Sequence, residues 1–274
     1  MVKKIFDKAF IFIILALLYA PIVMIIVFSF SNTSNFTFPH GFTLDAYRSI
    51  LNSSQTPALL SALKNTLIIA SVSSVAATIL GSVSAIGIFN LRKRMRKVVE
   101  NVNQLPIINS EIVMAVSLML FFVTFKFPQG YVRLIIGHIS FCTPYVVLSV
   151  MPRLIQMDPN IYEAALDLGA SPAKALVKVI LPIIYPGIIS GFVMAFTLSM
   201  DDFIITQINK GATTGIDTLS TYIYSSQHNA RGLNPFWFAV FSIIIVFIIT
   251  LLLIINLRQY IKKYSKEIKN EKSY

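Results

Sequence analysis

This sequence predicts an all-helical integral membrane protein with six spanning helices. Three observations carry that prediction. The 274-residue chain is 55% hydrophobic and 13% charged, a balance outside the range of soluble domains. Six apolar stretches approach the length needed to cross a hydrocarbon core of about 30 Å. The basic residues gather on alternate connections between those stretches, as membrane topology demands.

The spans read as 10–30, 67–89, 105–125, 132–150, 183–199 with an extension to 208, and 236–255. Lys3, Lys4 and Lys8 followed by an apolar run resemble a signal peptide. However, the run reaches Phe30 without a small-x-small cleavage site, which fits an uncleaved span. With the N-terminus inside, segments 1–9, 91–104, 152–180 and 258–274 hold 17 of the 23 lysines and arginines. The other six are Arg48, Lys64, Lys126, Arg133, Lys210 and Arg231. Both termini are therefore expected in the cytoplasm of a multi-pass protein of the cell membrane. The same distribution turns the net charge of +11 away from nucleic acid. Arg92–Lys97 and the lysine-rich tail read as topology signals and contacts to anionic membrane lipid.

Taken in order, the first external loop carries FTLDAYRSIL, in which Thr43 can cap a short helix with Leu44, Tyr47 and Leu51 on one face. Span two is rich in small residues (Ala70, Ser73, Ser74, Ala77, Gly81, Ser82, Ala85 among them), which let helix backbones approach closely, so it belongs inside a bundle. Span three starts at Pro106 and carries Glu111, where the helix dipole favours a carboxylate. Span four contains Pro144, a candidate kink. Gly187, Gly191, Ala195 and Ser199 recur every four residues along span five and make a small-residue face. That face leads to Asp201 and Asp202, roughly 27 Å beyond Ile183 at helical rise. The last loop carries Tyr222 and Tyr224, and Asn234–Pro235 can cap span six. Three regions follow: 1–60, a first span with its external loop; 61–257, the transmembrane core; and 258–274, a basic cytoplasmic tail.

Between spans four and five lies a polar, helix-forming passage, Asp158–Pro182. Asp158 can cap a helix with Pro159 at its first position. Ile161, Ala164, Ala165 and Leu168 then fall on one apolar face. Gly169 can end that helix in a left-handed conformation. Ser171 and Pro172 repeat the signal and begin a second helix. The result is a helix–glycine–helix elbow on the cytoplasmic side, shaped to be gripped by a partner.

Catalytic patterns are missing. No glycine precedes a lysine, so no phosphate-binding P-loop exists. His40, His138 and His228 are far apart, and Cys142 is the single cysteine, inside an apolar run. A membrane enzyme lacks its nucleophile or metal constellation. The acid pair Asp201/Asp202 needs a reason, since a carboxylate at the membrane midplane costs about 2.5–3.5 kcal/mol. Either the pair contacts a cationic substrate, or it caps a helix at the outer interface. Successive residues point about 100° apart, so one of the two would face a path. Glu111 has a helix-dipole role or a path role. Tyr222, Tyr224 and Trp237 read as interfacial aromatics or as ligands.

Glu163-Ala164-Ala165, then Gly169, then Val179 and Leu181-Pro182 resemble the EAA motif of permease subunits of bacterial ABC importers, which usually has isoleucine where Val179 stands. Further stretches are similar to the spermidine/putrescine permease subunits of the PotC type. They are Ala62-Leu63-Lys64-Asn65-Thr66, Ser199-Met200-Asp201-Asp202-Phe203, Thr218-Leu219 with Ile223-Tyr224-Ser225, and FTLDAYRSIL. After Pro235 the chain departs from that pattern with Phe236-Trp237-Phe238-Ala239 in place of Asn-Ala. The resemblance implies a type I importer (MetI-like) bundle with cytoplasmic coupling helices, and a non-catalytic subunit moving polyamines by alternating access. It implies no cofactor of its own, since ATP would be bound by a partner. The implied partners are a second, PotB-like permease, two ATP-binding subunits and an extracytoplasmic substrate-binding protein. Glu163, Ala164, Ala165, Gly169, Leu181 and Pro182 would couple to the ATPase. Asp201, Asp202, Glu111 and Tyr222 are the substrate-path candidates. Related importers of phosphonate, thiamine or iron share the elbow. A stand-alone secondary transporter would need no elbow.

Overall fold

The structure, a computed structural model, describes residues 2–31, 41–52, 56–158, 160–211, 214–228 and 235–271, and no strand occurs among them. In order the helices are α1 (Val2–Phe28), α2 (Asp45–Asn52), α3 (Thr56–Phe89), α4 (Lys93–Ile108), α5 (Glu111–Thr124) and α6 (Tyr131–Gln156). Then come α7 (Asn160–Asp167), α8 (Pro172–Ala175), a π-helical turn (Leu176–Ile180), α9 (Leu181–Asp201), α10 (Ile204–Asn209), α11 (Leu219–His228) and α12 (Pro235–Glu271). Four helical runs among the described residues are long and apolar enough to cross a membrane: Phe10–Phe28, Thr56–Phe89, Tyr131–Gln156 and Pro172–Asp201. The α4–α5 pair counts as a fifth if it forms one bent span, and Pro235–Thr250 is a shorter apolar stretch.

The expected third span, 105–125, is not one helix. α4 and α5 are bent by 103° across a short break. Asn109 and Ser110 both leave the helical region, with ψ of 152° and 142°. The Ser110 hydroxyl accepts from Val113 N at 3.4 Å, so it serves a free N–H of α5 instead of continuing α4. Glu111 is thereby the first residue of α5, exposed, in the place where the helix dipole favours it. By contrast, α6 runs through both Pro144 and Pro152, and neither ends it. The Pro144 carbonyl accepts from Asn103 Nδ2 at 3.3 Å.

The chain divides into two compact units, Met1–Ala58 with Ser225–Tyr274, and Leu59–Tyr224. In the first, Tyr47 of α2 ties the elements together, with its hydroxyl 2.7 Å from Ser29 Oγ and 3.2 Å from Ser242 Oγ. Phe28 and Phe238 pack at 5.8 Å. Asp45 N donates to Thr43 Oγ1 at 3.1 Å, the capping expected of that threonine. Leu44 is exposed, so the face read as Leu44, Tyr47 and Leu51 holds inward at Tyr47 alone among the described side chains. Trp237 is 1% exposed, so it packs inside this unit and is no interfacial ring. Asn234 lies outside the described residues.

The second unit is centred on α6. Phe141, Cys142, Val146, Val147, Val150 and Leu154 of that helix are buried in its core. The small residues expected to admit a neighbour do so. A Cβ on Gly191 would sit 3.1 Å from Val146 Cγ1, and one on Gly81 only 2.6 Å from Val146 Cβ. Glycines from α3 and α9 thus both close onto Val146. The far end of the unit is latched by hydrogen bonds. Asn65 Nδ2 donates to the Asp217 carbonyl at 2.9 Å, and its Oδ1 accepts from the Tyr131 hydroxyl at 2.6 Å. Thr66 Oγ1 accepts from Leu219 N at 2.8 Å. Lys210 Nζ reaches Asp217 Oδ1 at 2.6 Å. The Ala62–Thr66 and Thr218–Leu219 motifs, 152 residues apart in the chain, are thus parts of one joint. Thr66→Val keeps the shape but leaves the Leu219 N–H unmet, at about 1–3 kcal/mol. Amide exchange around Leu219 should therefore quicken by roughly tenfold, read by hydrogen–deuterium mass spectrometry. An unchanged rate refutes the joint.

Candidate functional site

The elbow forms as its residues dictate. The Asp158 carboxylate accepts from Asn160 N at 2.9 Å and starts α7. Pro159 lies outside the described residues. Gly169 takes φ +82° and ends α7 with two reciprocal bonds, Ala170 N to the Ala165 carbonyl at 3.0 Å and Gly169 N to the Leu166 carbonyl at 2.9 Å. That pair is the Schellman arrangement, which needs a left-handed residue. The Ser171 hydroxyl accepts from Lys174 N, with Pro172 at the first helical position of α8.

The buried face of α7 differs from the one expected. Ile161 and Ala165 turn inward, while Ala164 is exposed and Leu168 is 89% exposed. Glu163 is exposed beside them. The periodicity is right but its apolar stripe is wider than the inner core can cover. An apolar edge, Ala164 and Leu168, is left facing out next to an acid. A cavity of about 560 Å³ lies beside the elbow, lined by Ile86, Phe89 and Asn90 of α3, Tyr162 and Glu163 of α7, and Leu176. The elbow is thus backed by space on that side, not by packed core.

Span five does not begin at Pro182. From Pro172 the chain is helical to Asp201, passing through the π-helical turn at Leu176–Ile180. Leu181 N bonds the Leu176 carbonyl, five residues back. Proline at 182 has no N–H for the carbonyl of Lys178, and its ring would strike that carbonyl in an ordinary helix. The wider turn accommodates it. Leu181 and Pro182 therefore form a joint within a continuous rod, with the elbow at one end and Asp201 at the other.

At that far end the acid pair separates into two roles. Asp202 leaves the helix with ψ 131° and is buried. Its Oδ1 accepts from Ile205 N at 3.1 Å, and its Oδ2 accepts from Thr206 N at 2.9 Å and from Thr206 Oγ1 at 2.8 Å. It is the cap of α10. Asp201, the last residue of α9, is exposed. Phe203 packs on Tyr224 with ring centroids 4.9 Å apart. Tyr222 is half-buried, and burial with the nearby Asp217 carboxylate pushes its phenol above the ordinary value. It stays neutral at pH 7 and can offer a cation only its ring and oxygen lone pairs. Glu111 starts α5, Asp201 ends α9 and Tyr222 lies on α11.

Sequence reasoning missed His138. It is fully buried on α6, with Nδ1 2.7 Å from Ser199 Oγ and Nε2 3.1 Å from Thr206 Oγ1 and 3.4 Å from Asp202 Oδ2. The signal available was a histidine inside an apolar span, where a polar ring must find partners.

A rod of small-faced helix joined to an exposed elbow, with no strand among the described residues, defines a membrane-embedded helical subunit. The fold agrees with solved importers. One neighbour is a bacterial ABC transporter involved in the import of the acidic polysaccharide alginate, at TM-score 0.67 and 15% identity, covering 94% of this chain and 95% of that one. Another is the inward-facing MetNI methionine ABC transporter, at TM-score 0.56 and 19% identity, covering 73% and 94%. The chain belongs to the family of binding-protein-dependent transport system inner membrane components, which it matches over residues 77–263. It is therefore a non-catalytic, multi-pass membrane permease with the MetI-like architecture. Among its relatives, the spermidine/putrescine transport system permease protein PotC of Escherichia coli (strain K12) is 35% identical over 223 residues, 81% of this chain and 83% of that protein. PotC of Haemophilus influenzae is 32% identical over 250 residues, covering 91% and 95%. The putrescine transport system permease protein PotI of Escherichia coli (strain K12) is 33% identical over 225 residues, covering 80% and 78%.

Proposed function

We propose that this chain is one permease subunit of an ATP-driven importer of polyamines, spermidine or putrescine. The observation that carries the coupling part is the elbow. Glu163 and Ala164 stand exposed on α7, with Leu168 exposed just past its end, while Ile161 packs against the core and Ala165 is buried. A separate ATP-binding subunit docks there, and two such subunits bind ATP for the complex. A second, PotB-like permease completes the membrane pore, and an extracytoplasmic binding protein delivers the substrate. Both termini lie in the cytoplasm, following the bias of 17 of 23 basic residues. Closure of the ATPases pushes the elbow, and the rod from Pro172 to Asp201 carries the displacement across the membrane, so that access alternates.

The substrate contact in this reading is Asp201, not Asp202, because Asp202 spends both oxygens on α10. A polyamine presents ammonium groups on methylenes, which suit an exposed carboxylate by ion pairing, and Phe203, two residues on in the chain and packed against Tyr224, offers a ring for cation–π contact. Glu111 serves the N-terminus of α5 behind its cap, Ser110, and Tyr222 remains a path candidate in this reading. Uptake of labelled spermidine and putrescine by the reconstituted complex, with competing cations, tests the reading. Asp201→Asn should raise the KM for spermidine by about tenfold, equivalent to roughly 1.4 kcal/mol, and leave assembly intact. Uptake of phosphonate, thiamine or iron in preference to polyamines would overturn the substrate.

A further inference from the structure

We propose that His138 is a positioning residue for the cation contact, holding the α9–α10 break so that Asp201 faces the path. This rests on the polyamine reading of Asp201. The break is unusual in its setting. A helix interrupted in a buried setting, as at Asp202, Ile205 and Thr206, turns backbone N–H groups away from water, so such breaks persist only where protein groups meet them. Here Asp202 meets two of them, at Ile205 and Thr206.

Asp202 does not stand alone. Its Oδ2 also takes the hydroxyl proton of Thr206, at 2.8 Å. A threonine hydroxyl has one proton, so toward His138 the same oxygen is an acceptor. His138 must then donate from Nε2 to Thr206 Oγ1, across 3.1 Å. In the neutral ring Nδ1 is bare, and it accepts from the Ser199 hydroxyl at 2.7 Å. The bonds thus run in one direction, Ser199 to His138 to Thr206 to Asp202, and every proton has a place.

The elements joined are what matter. Ser199 lies on the last turn of α9, Thr206 on α10, and His138 on α6, on the opposite side of the break. The four side chains are buried, His138 and Thr206 completely. One turn further along α6, Cys142 Sγ contacts the Ala195 carbonyl at 3.4 Å, so the end of α9 is held to α6 at two successive levels. Asp201 sits between Ser199 and Asp202, both clamped by this chain. Its direction is set by bonds it does not make itself. In a buried network of this kind, loss of one link leaves its neighbours unsatisfied and lets the break relax.

The test uses the complete complex with loaded binding protein and labelled spermidine. His138→Phe keeps an aromatic ring and removes every bond; His138→Gln retains an amide donor and acceptor. His138→Phe should assemble, keep basal ATP hydrolysis, and raise the KM for spermidine about tenfold. His138→Gln should return it to within roughly threefold. Adding Asp201→Asn to His138→Phe should change the KM little further, because the two act on one contact. If His138→Phe does not assemble, Ser199→Ala, which deletes one link, should give a smaller KM rise with the same non-additivity. A wild-type KM in His138→Phe, or losses that multiply with those of Asp201→Asn, overturns the positioning role while the path reading stands. A wild-type KM in Asp201→Asn overturns the path reading itself, and His138 with it.

Discussion

Replacing Gly169 by proline should abolish the ATP hydrolysis that loaded binding protein stimulates, by at least about tenfold. Gly169 holds φ +82°, whereas proline is confined near −65°. Proline also lacks the N–H that bonds the Leu166 carbonyl at 2.9 Å, one half of the reciprocal closure of α7. No atom lies within 4 Å of a Cβ at this site. The loss would therefore come from backbone conformation, with no steric contribution, and this yields a graded series. Gly169→Ala carries only the left-handed penalty, roughly 1–2 kcal/mol. Gly169→Asn, whose side chain tolerates that region, should stay near wild type. Stimulated ATPase activity in the reconstituted complex should rank glycine, asparagine, alanine, proline. Full stimulation in the proline variant would show that the elbow does not transmit force.

The second large effect concerns packing. Gly81→Leu should lower the melting temperature of the complex by roughly 6–12 °C, from an overpacking cost on the order of 3 kcal/mol. A Cβ at residue 81 would lie 2.6 Å from Val146 Cβ and 3.1 Å from the Thr143 carbonyl. The second of these is backbone, so no rotamer change relieves it. Retreat of Val146 is limited from the α9 side, where even a Cβ on Gly191 would lie only 3.1 Å from Val146 Cγ1. The small stripes on α3 and α9 therefore act as one clamp around α6. Gly87, with nothing near its Cβ position, is the control, and Gly87→Ala should leave the melting curve unmoved. Equal shifts for the two positions would refute the clamp.

Much of this protein is legible in its linear order. Apolar length, the distribution of lysine and arginine, and the small-residue periods follow from how each helix must meet lipid or a neighbour. The elbow is legible too, because Asp158, Gly169, Ser171 and Pro172 act through local backbone chemistry that depends on nothing remote. The broken third span was hidden. Asn109-Ser110-Glu111 is a polar patch short enough to sit within a span, and it is the extended conformations at Asn109 and Ser110 that break the helix there. Local polar residues can cap a helix or ride along its surface, and the choice rests on what packs around them.

The acid pair marks the limit most clearly. Two adjacent aspartates at the end of a spanning stretch announce either a cation contact or a cap, and the linear order does not divide these roles. Asp202 became the cap because Ile205 and Thr206 bring donors to it in a buried pocket, with His138, 64 residues earlier, bonded to the same Thr206 hydroxyl. Asp201 was left exposed for the same reason. Helix-forming chemistry, apolar length and elbow are properties of neighbouring residues and were written in the chain. Which acid faces out, which glycines touch Val146, and which stripe of α7 stays uncovered depend on helices meeting across long separations, and packing alone decided them.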